Sequence, residues 1–319
     1  MNILFMGTPH FASEILNGLY NSHHKIIAVI TQPDRKGNRN KIIESEASLK
    51  AKELLLPVYK YQKISIEGLN DIQKLRPDII VTAAYGQILS QTILDIAPYG
   101  VINVHGSLLP RYRGASPVQA ALMDGAKFTG ITIMQTVKKM DAGDILNYKI
   151  CPIDKNDTQD SLFEKLAQCG KDILIKTLDD IENGTIKYFP QNRIKYNNAN
   201  KTFVKPTYCR KITKQDELIN WNKSAQKIHN QIRALSSNPT AYTFLNGMIF
   251  KIYRSEVVEN RSKNISGEVI AFEKDGIIVG CEAGKIRIIE GCFQGGKRLY
   301  ARDIINGKKI KIGDRFSIL

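Results

Sequence analysis

Three residue types at one spacing carry the chemistry in this chain. Asn103 and His105 stand two apart in the run Asn103-Val104-His105-Gly106-Ser107-Leu108-Leu109-Pro110, and Asp141 follows the histidine by thirty-six residues in Met140-Asp141-Ala142-Gly143-Asp144. An amide, an imidazole and a carboxylate suit acyl transfer to an amine. The amide stabilises an oxyanion, the imidazole handles the proton and the carboxylate orients the imidazole. No serine or cysteine nucleophile is required, because an amine attacks an activated acyl carbon directly. From residue types alone a structural histidine at a strand end explains the same run, and the aspartate loop reads equally as a surface turn.

The elements that must hold these residues follow from periodicity. Short apolar runs at Asn2–Met6, Lys25–Thr31, Asp78–Ala84, Gly100–His105 and Thr129–Thr136 alternate with helical patterns at Phe11–Tyr20, Ala47–Leu55, Leu69–Leu75 and Val118–Met123. That alternation predicts an α/β domain with a Rossmann-like, mainly parallel sheet. A strand over Ile145–Ile150 is placed to pair antiparallel, and a long helix fits Gln159–Ile181. Strand alternation sets Asn103 and His105 on one face, at the carboxyl end of a parallel strand, where open α/β sheets keep their sites. The first turn, Gly7-Thr8-Pro9-His10-Phe11, lacks the G-x-G-x-x-G fingerprint, which disfavours a dinucleotide enzyme.

From Lys187 to Pro206 the pattern dissolves into Asn, Lys, Pro and Tyr, the chain's best linker. The expected division is 1–186 as the catalytic domain, 187–206 as linker and 207–319 as a second domain. There a helix over Ser224–Leu235 precedes short strands at Tyr242–Leu245, Met248–Tyr253, Gly267–Phe272, Gly276–Gly280 and Lys285–Glu290. Asn246-Gly247 and Asp275-Gly276 mark hairpin turns. A small OB-like β-barrel is the economical closure, since it removes exposed strand edges.

Charge and cysteine content narrow the class. The net charge is +15, and residues 201–319 hold 22 Lys and Arg against 11 Asp and Glu, a net of +11, while the first 200 carry the remaining +4. A polyanionic partner fits that distribution, although a basic proteome produces a similar bias. The basic, glycine-containing loop Arg35, Lys36, Arg39 and Lys41 suits phosphates. Five scattered cysteines without a C-x-x-C pair fit neither a disulfide framework nor a zinc site, so no metal is expected. No apolar stretch approaches the roughly 20 residues of a membrane helix. A soluble, cytoplasmic protein is expected.

These residues together resemble the 10-formyltetrahydrofolate-dependent formyltransferases. Asn103-x-His105, Ser107-Leu108-Leu109-Pro110 and the distant Asp141 carry the likeness. Gly7-Thr8-Pro9-x-Phe11, Thr31-Gln32-Pro33-Asp34-Arg35, Arg113-Gly114, Gly130–Met134, Lys211-Ile212-Thr213 with Trp221, and Ile232-Arg233-Ala234 extend it to the members that formylate methionyl-tRNA. The resemblance implies a catalytic set of Asn103, His105 and Asp141, and 10-formyltetrahydrofolate as formyl donor. It also implies a folate site lined by Ser107, Leu108, Leu109 and Pro110, with backbone groups around Tyr85, Gly86, Gln87 and Leu89 holding the pterin. Arg35, Lys36, Arg39 and Lys41 would meet the acceptor end of an initiator methionyl-tRNA, Arg39 leading, while linker and barrel track its phosphates. A monomer is expected. The sequence departs from the pattern at Asn40, Asn220 and Thr240. Two rivals stand beside this reading: a formyltransferase acting on a sugar nucleotide or glycinamide ribotide, and an RNA-binding protein without catalysis. Trp221, the single tryptophan, is expected to be a packing anchor.

Overall fold

The structure is a computed structural model that describes residues 1–36, 42–194, 205–259, 261–273 and 275–317. It divides into two compact units. The first comprises Met1–Pro117, Phe128–Pro152 and Phe163–Cys209; the second comprises Val118–Lys127, Ile153–Leu162 and Arg210–Leu319.

The first unit is built on seven strands: β1 (Asn2–Gly7), β2 (Lys25–Thr31), β3 (Val58–Lys60), β4 (Ile79–Ala83), β5 (Val101–His105), β6 (Phe128–Gln135) and β7 (Ile145–Pro152). Their order is β7-β6-β5-β4-β1-β2-β3. The five strands from β3 to β5 run parallel, while β6 lies antiparallel to β5 and β7 antiparallel to β6. The expected parallel sheet therefore carries an antiparallel edge of two strands, and β7 pairs as its spacing indicated. Alternation explains the central strands. Leu4, Met6, Ala28, Ile30, Ile80 and Val101 pack on one face with Ile64, Ile72, Ile93 and Leu94. On the other face Val104 and Ile131 lie beside Ile15 of α1 (His10–Tyr20), under Gly170 of α4 (Gln159–Glu182). With helices on both faces the strands read as nearly continuous apolar runs. Each fully buried leucine or isoleucine contributes ~1.5–3 kcal/mol. The helix α2 (Glu46–Glu53), capped by Ser45 accepting from Ser48 N, completes the unit's main elements, while α3 (Pro117–Met123) belongs from Val118 on to the second unit.

The second unit packs α5 (Ala225–Leu235), capped by Ser224, against β8 (Ala241–Leu245), β9 (Met248–Glu259), β10 (Val269–Glu273), β11 (Gly276–Gly280) and β12 (Lys285–Phe293). These strands follow the order β8-β9-β12-β11-β10, all antiparallel. Residues 313–317 close the sheet on itself: Ser317 exchanges backbone bonds with Phe244 of β8, and Phe316 N and Gly313 N donate to Gly267 and Val269 beside β10. Trp221 is buried, donates from Nε1 to Thr243 Oγ1 (2.9 Å) and stacks on Phe316, as expected of an anchor. Asn246-Gly247 forms its turn with both residues at positive φ. The second hairpin joins β10 to β11, with Asp275 in the turn and Gly276 opening β11 opposite Glu273. A Cβ there would stand 2.2 Å from Arg287 Cγ, so this glycine serves a close approach within the sheet. No helix among the described residues is long and apolar enough to cross a membrane.

Candidate active site

His105 is the last residue of β5 and Asn103 the third, so both lie at the carboxyl end of a parallel strand. Asp141 comes to them from the loop joining β6 to β7, since β6 runs beside β5. His105 Nδ1 stands 3.9 Å from Asp141 Oδ1, with the imidazole 6% exposed and the carboxylate 15%. His105 Nε2 lies 3.0 Å from the carbonyl of Tyr112. A carbonyl only accepts, so Nε2 carries a proton and Nδ1 is the nitrogen that faces the aspartate. Thr82 Oγ1 donates to Asn103 Oδ1 (2.9 Å), which leaves the carboxamide NH2 to donate elsewhere. The three residues singled out by type and spacing are thus held at one strand end.

A network absent from the sequence reading fixes Asp141. The residue has φ +47°, and its Oδ2 accepts from Gly114 N at 2.7 Å. Gln191 Nε2 donates to the carbonyls of Asp141 (2.9 Å) and Gly143 (2.7 Å), spanning the loop. Gln191 Oε1 in turn accepts from Arg113 Nε (3.1 Å) and Nη2 (2.6 Å), and Arg113 is 7% exposed. At Gly143 the loop presses on β6: a Cβ would fall 1.9 Å from Gln135 O, so only glycine fits. Tyr208–Cys209 forms a short parallel pair with Arg113–Gly114, and Thr207 Oγ1 accepts from Tyr112 N at 2.8 Å. The ends of the patternless stretch therefore frame this site. One signal was available: Gln191 is an amide inside an otherwise Asn/Lys-rich segment and Tyr208 an aromatic just beyond it, but they have no periodicity.

The residues expected at the folate differ in their placement. Ser107, Leu108, Leu109 and Pro110 are buried beneath the site. Ser107 Oγ donates to Arg111 O (2.7 Å), Thr132 Oγ1 donates to Ser107 O (2.7 Å), and Leu109 N donates to Thr132 Oγ1 (3.1 Å). Leu108 and Leu109 pack with Met134, Ile145 and Ile194. Tyr85 and Leu89 are also buried, and Tyr85 O already accepts from Thr8 Oγ1 and Gln32 Nε2, both at 3.1 Å. Burial drives the Tyr85 phenol far above its ordinary pKa, and its hydroxyl has no hydrogen-bond partner among the described residues. Gln87 spans Tyr61 O (2.9 Å) and Ile64 N (3.0 Å), while Gly86 is exposed at φ +86°. Arg35–Lys36 forms a short strand paired with Ile42–Ile43; Arg35 is exposed, and its Nη2 donates to Gln32 Oε1 at 3.1 Å. Arg39 and Lys41 lie outside the described residues.

The chain matches the family model "Formyl transferase" over residues 1–178 and "Formyl transferase, C-terminal domain" over 211–309. It is 41% identical over 322 residues to the methionyl-tRNA formyltransferase of Sulfurihydrogenibium sp., covering 99% of this chain and 100% of the relative. The methionyl-tRNA formyltransferase of Staphylococcus aureus is 40% identical over 308 residues, 96% of either chain. Among solved structures, an N-formyltransferase from Helicobacter canadensis, in complex with folinic acid and dTDP-3-aminofucose, superposes with TM-score 0.64 at 21% identity over 90% of this chain and 98% of its own. HypX from Aquifex aeolicus, in complex with tetrahydrofolic acid, gives TM-score 0.64 at 16% identity over 99% of this chain, which spans about half of HypX (50%). Family matches over both parts and identities near 40% along the whole length lead to one conclusion: the chain belongs to the formyl transferase family.

Proposed function

We propose that the protein transfers the formyl group of 10-formyltetrahydrofolate to the α-amino group of methionine on initiator methionyl-tRNA, for translation initiation. The observation that carries this reading is full-length identity near 40% to methionyl-tRNA formyltransferases in a chain whose Asn103, His105 and Asp141 converge at one strand end. The methionine nitrogen attacks the formyl carbon, forming a C–N bond and an oxyanion. The Asn103 NH2 group donates to that oxyanion. The proton released from the attacking nitrogen passes by way of His105 Nδ1 and Asp141 to N10 of the folate as the C–N10 bond breaks. Formyl-methionyl-tRNA and tetrahydrofolate are the products, and atoms balance without a covalent enzyme intermediate. None of these residues requires a metal for this chemistry.

Ser107, Leu108, Leu109 and Pro110 are the buried floor of the folate site in this proposal, and the strip Tyr85, Gly86, Gln87 and Leu89 flanks the pterin. Because Tyr85 O and the Gln87 side chain are engaged within the protein, the amides and the exposed Gly86 are the groups left for the ligand. Arg35, Lys36, Arg39 and Lys41 meet the acceptor end of the tRNA. The second unit is an OB-like barrel, supported by the closure of its antiparallel sheet through residues 313–317, and it tracks phosphates with its excess of positive charge. The domain division 1–186, 187–206 and 207–319 is supported by the gap between the family matches at 178 and 211. A cytoplasmic monomer fits this role.

Replacing His105 by Ala tests the assignment. Transfer is expected to be lost with tRNA affinity nearly intact. Retained transfer would remove His105 from the mechanism, and transfer to dTDP-amino sugars but not to tRNA would favour the sugar-nucleotide reading.

A further inference from the structure

A second cluster of ligating groups lies in the first unit at the amino ends of β1 and β2, away from the strand ends that hold His105. His23 and His24 directly precede β2, their rings 4.1 Å apart, while Asp179 and Glu182 occupy the last turn of α4. The His24 side chain is fully buried and that of His23 is 64% exposed. His24 Nε2 lies 3.1 Å from Asp179 Oδ1, and His24 Nδ1 lies 3.5 Å from the Met1 α-ammonium. A carboxylate only accepts and an ammonium only donates, so the ring carries its proton on Nε2 and a lone pair on Nδ1. That arrangement, a carboxylate behind an imidazole whose other nitrogen is free to ligate, is how metal-binding histidines are oriented. Glu182 Oε2 stands 3.7 Å from His24 Nδ1 and 3.8 Å from His23 Nε2, Asp179 Oδ1 also lies 3.3 Å from His23 Nε2, and one ligating atom from each of His23, His24 and Glu182 lies within 4.8 Å of the others.

We propose that His23 Nε2, His24 Nδ1 and Glu182 bind a divalent first-row transition ion, Zn²⁺ or a coordination mimic of it, with Asp179 holding the His24 ring from behind. Zinc bonds of about 2.0–2.1 Å to nitrogen and oxygen set tetrahedral edges of about 3.4 Å. The observed pairs at 3.7 and 3.8 Å therefore contract by a few tenths of an ångström, which the exposed His23 and Glu182 side chains allow. The two carboxylates offset the ion's charge. The Met1 α-ammonium, 2.9 Å from Glu182 Oε1, now supplies that compensation, and the ion takes its place. The site joins the start of the sheet to the end of α4 and has no part in formyl transfer.

Chelator-treated full-length protein titrated with Co²⁺ near neutral pH tests the proposal. The expected result is saturable binding of a single ion with a visible absorption band displaced by Zn²⁺, and a rise in Tm of a few degrees at saturating metal. The double variant His23→Ala, Glu182→Gln should lose the band and the metal-dependent rise while keeping its formyl-transfer rate. Absence of saturable binding would overturn the proposal. So would binding that survives in the double variant, or binding abolished by alkylating the cysteines.

Discussion

At the scale of single residues, the site separates charge from position. Asp141 orients through Oδ2, bonded to Gly114 N, and faces the His105 Nδ1 with Oδ1. Asp141→Asn keeps an acceptor for Gly114 but removes the charge, so it is expected to fold normally and to lose about 10²-fold or more in kcat. A variant whose single-turnover rate matched wild type would remove Asp141 from proton handling. Asn103→Ala deletes the proposed oxyanion donor and should cost about 10²–10³ in kcat, with KM for tRNA little changed. These residues were legible in the sequence because strand alternation fixes which face Asn103 and His105 share. The partners that tune them were not: the Tyr112 carbonyl and the Thr82 hydroxyl act through backbone position and register, which residue type does not reveal.

At the scale of elements, apolar runs such as Asn2–Gly7 and Val101–His105 announced themselves because burial on both faces demands them. The strand β9 was harder. It runs on to Glu259, beyond the expected end at Tyr253, since Arg254 and Glu256 are tied to Glu290 and Arg287 on the neighbouring strand instead of ending the ladder. Gln191 carried no periodic signal for a similar reason, because hydrogen bonds from one side-chain amide leave no period. Gln191→Ala strips the carbonyls of Asp141 and Gly143 of a donor and leaves the buried Arg113 without that acceptor. A loss of about 1–3 kcal/mol in stability is expected for such unsatisfied groups, with a fall in kcat that Gln191→Glu does not mimic; thermal melts and steady-state rates check both. In the second unit, burial and then the nearby Arg233 hold the His229 pKa below its ordinary value, with Ser255 Oγ 3.1 Å from Nδ1. The unfolded chain therefore binds this proton more readily. The stability contributed by neutral His229 is complete above about 6.5 and is lost as pH falls below it. Melting curves across that window should show a slope that His229→Asn flattens.

At the scale of the whole molecule, the division of labour follows charge. The first 200 residues hold the strand end proposed to be catalytic at a net of +4, and the remaining 119 carry +11. If the basic excess serves the tRNA backbone, log affinity falls linearly with log salt concentration, and removing Arg35 and Lys36 together lessens that slope without changing the rate at saturating tRNA. Filter binding across a salt series measures it; an unchanged slope would take these two residues off the phosphates. The α/β layout and the antiparallel, strand-rich second part were readable at this scale from alternation and turns. Closure through residues 313–317 was not, since a few backbone bonds suffice to seal a sheet and a segment that short carries no pattern. The central claim is tested most directly by following labelled formyl from 10-formyltetrahydrofolate onto methionyl-initiator tRNA, with methionyl-elongator tRNA and free methionine alongside. Label on the initiator alone is the predicted result. Label on free methionine to the same extent, or on none of the three with active folate present, would contradict it.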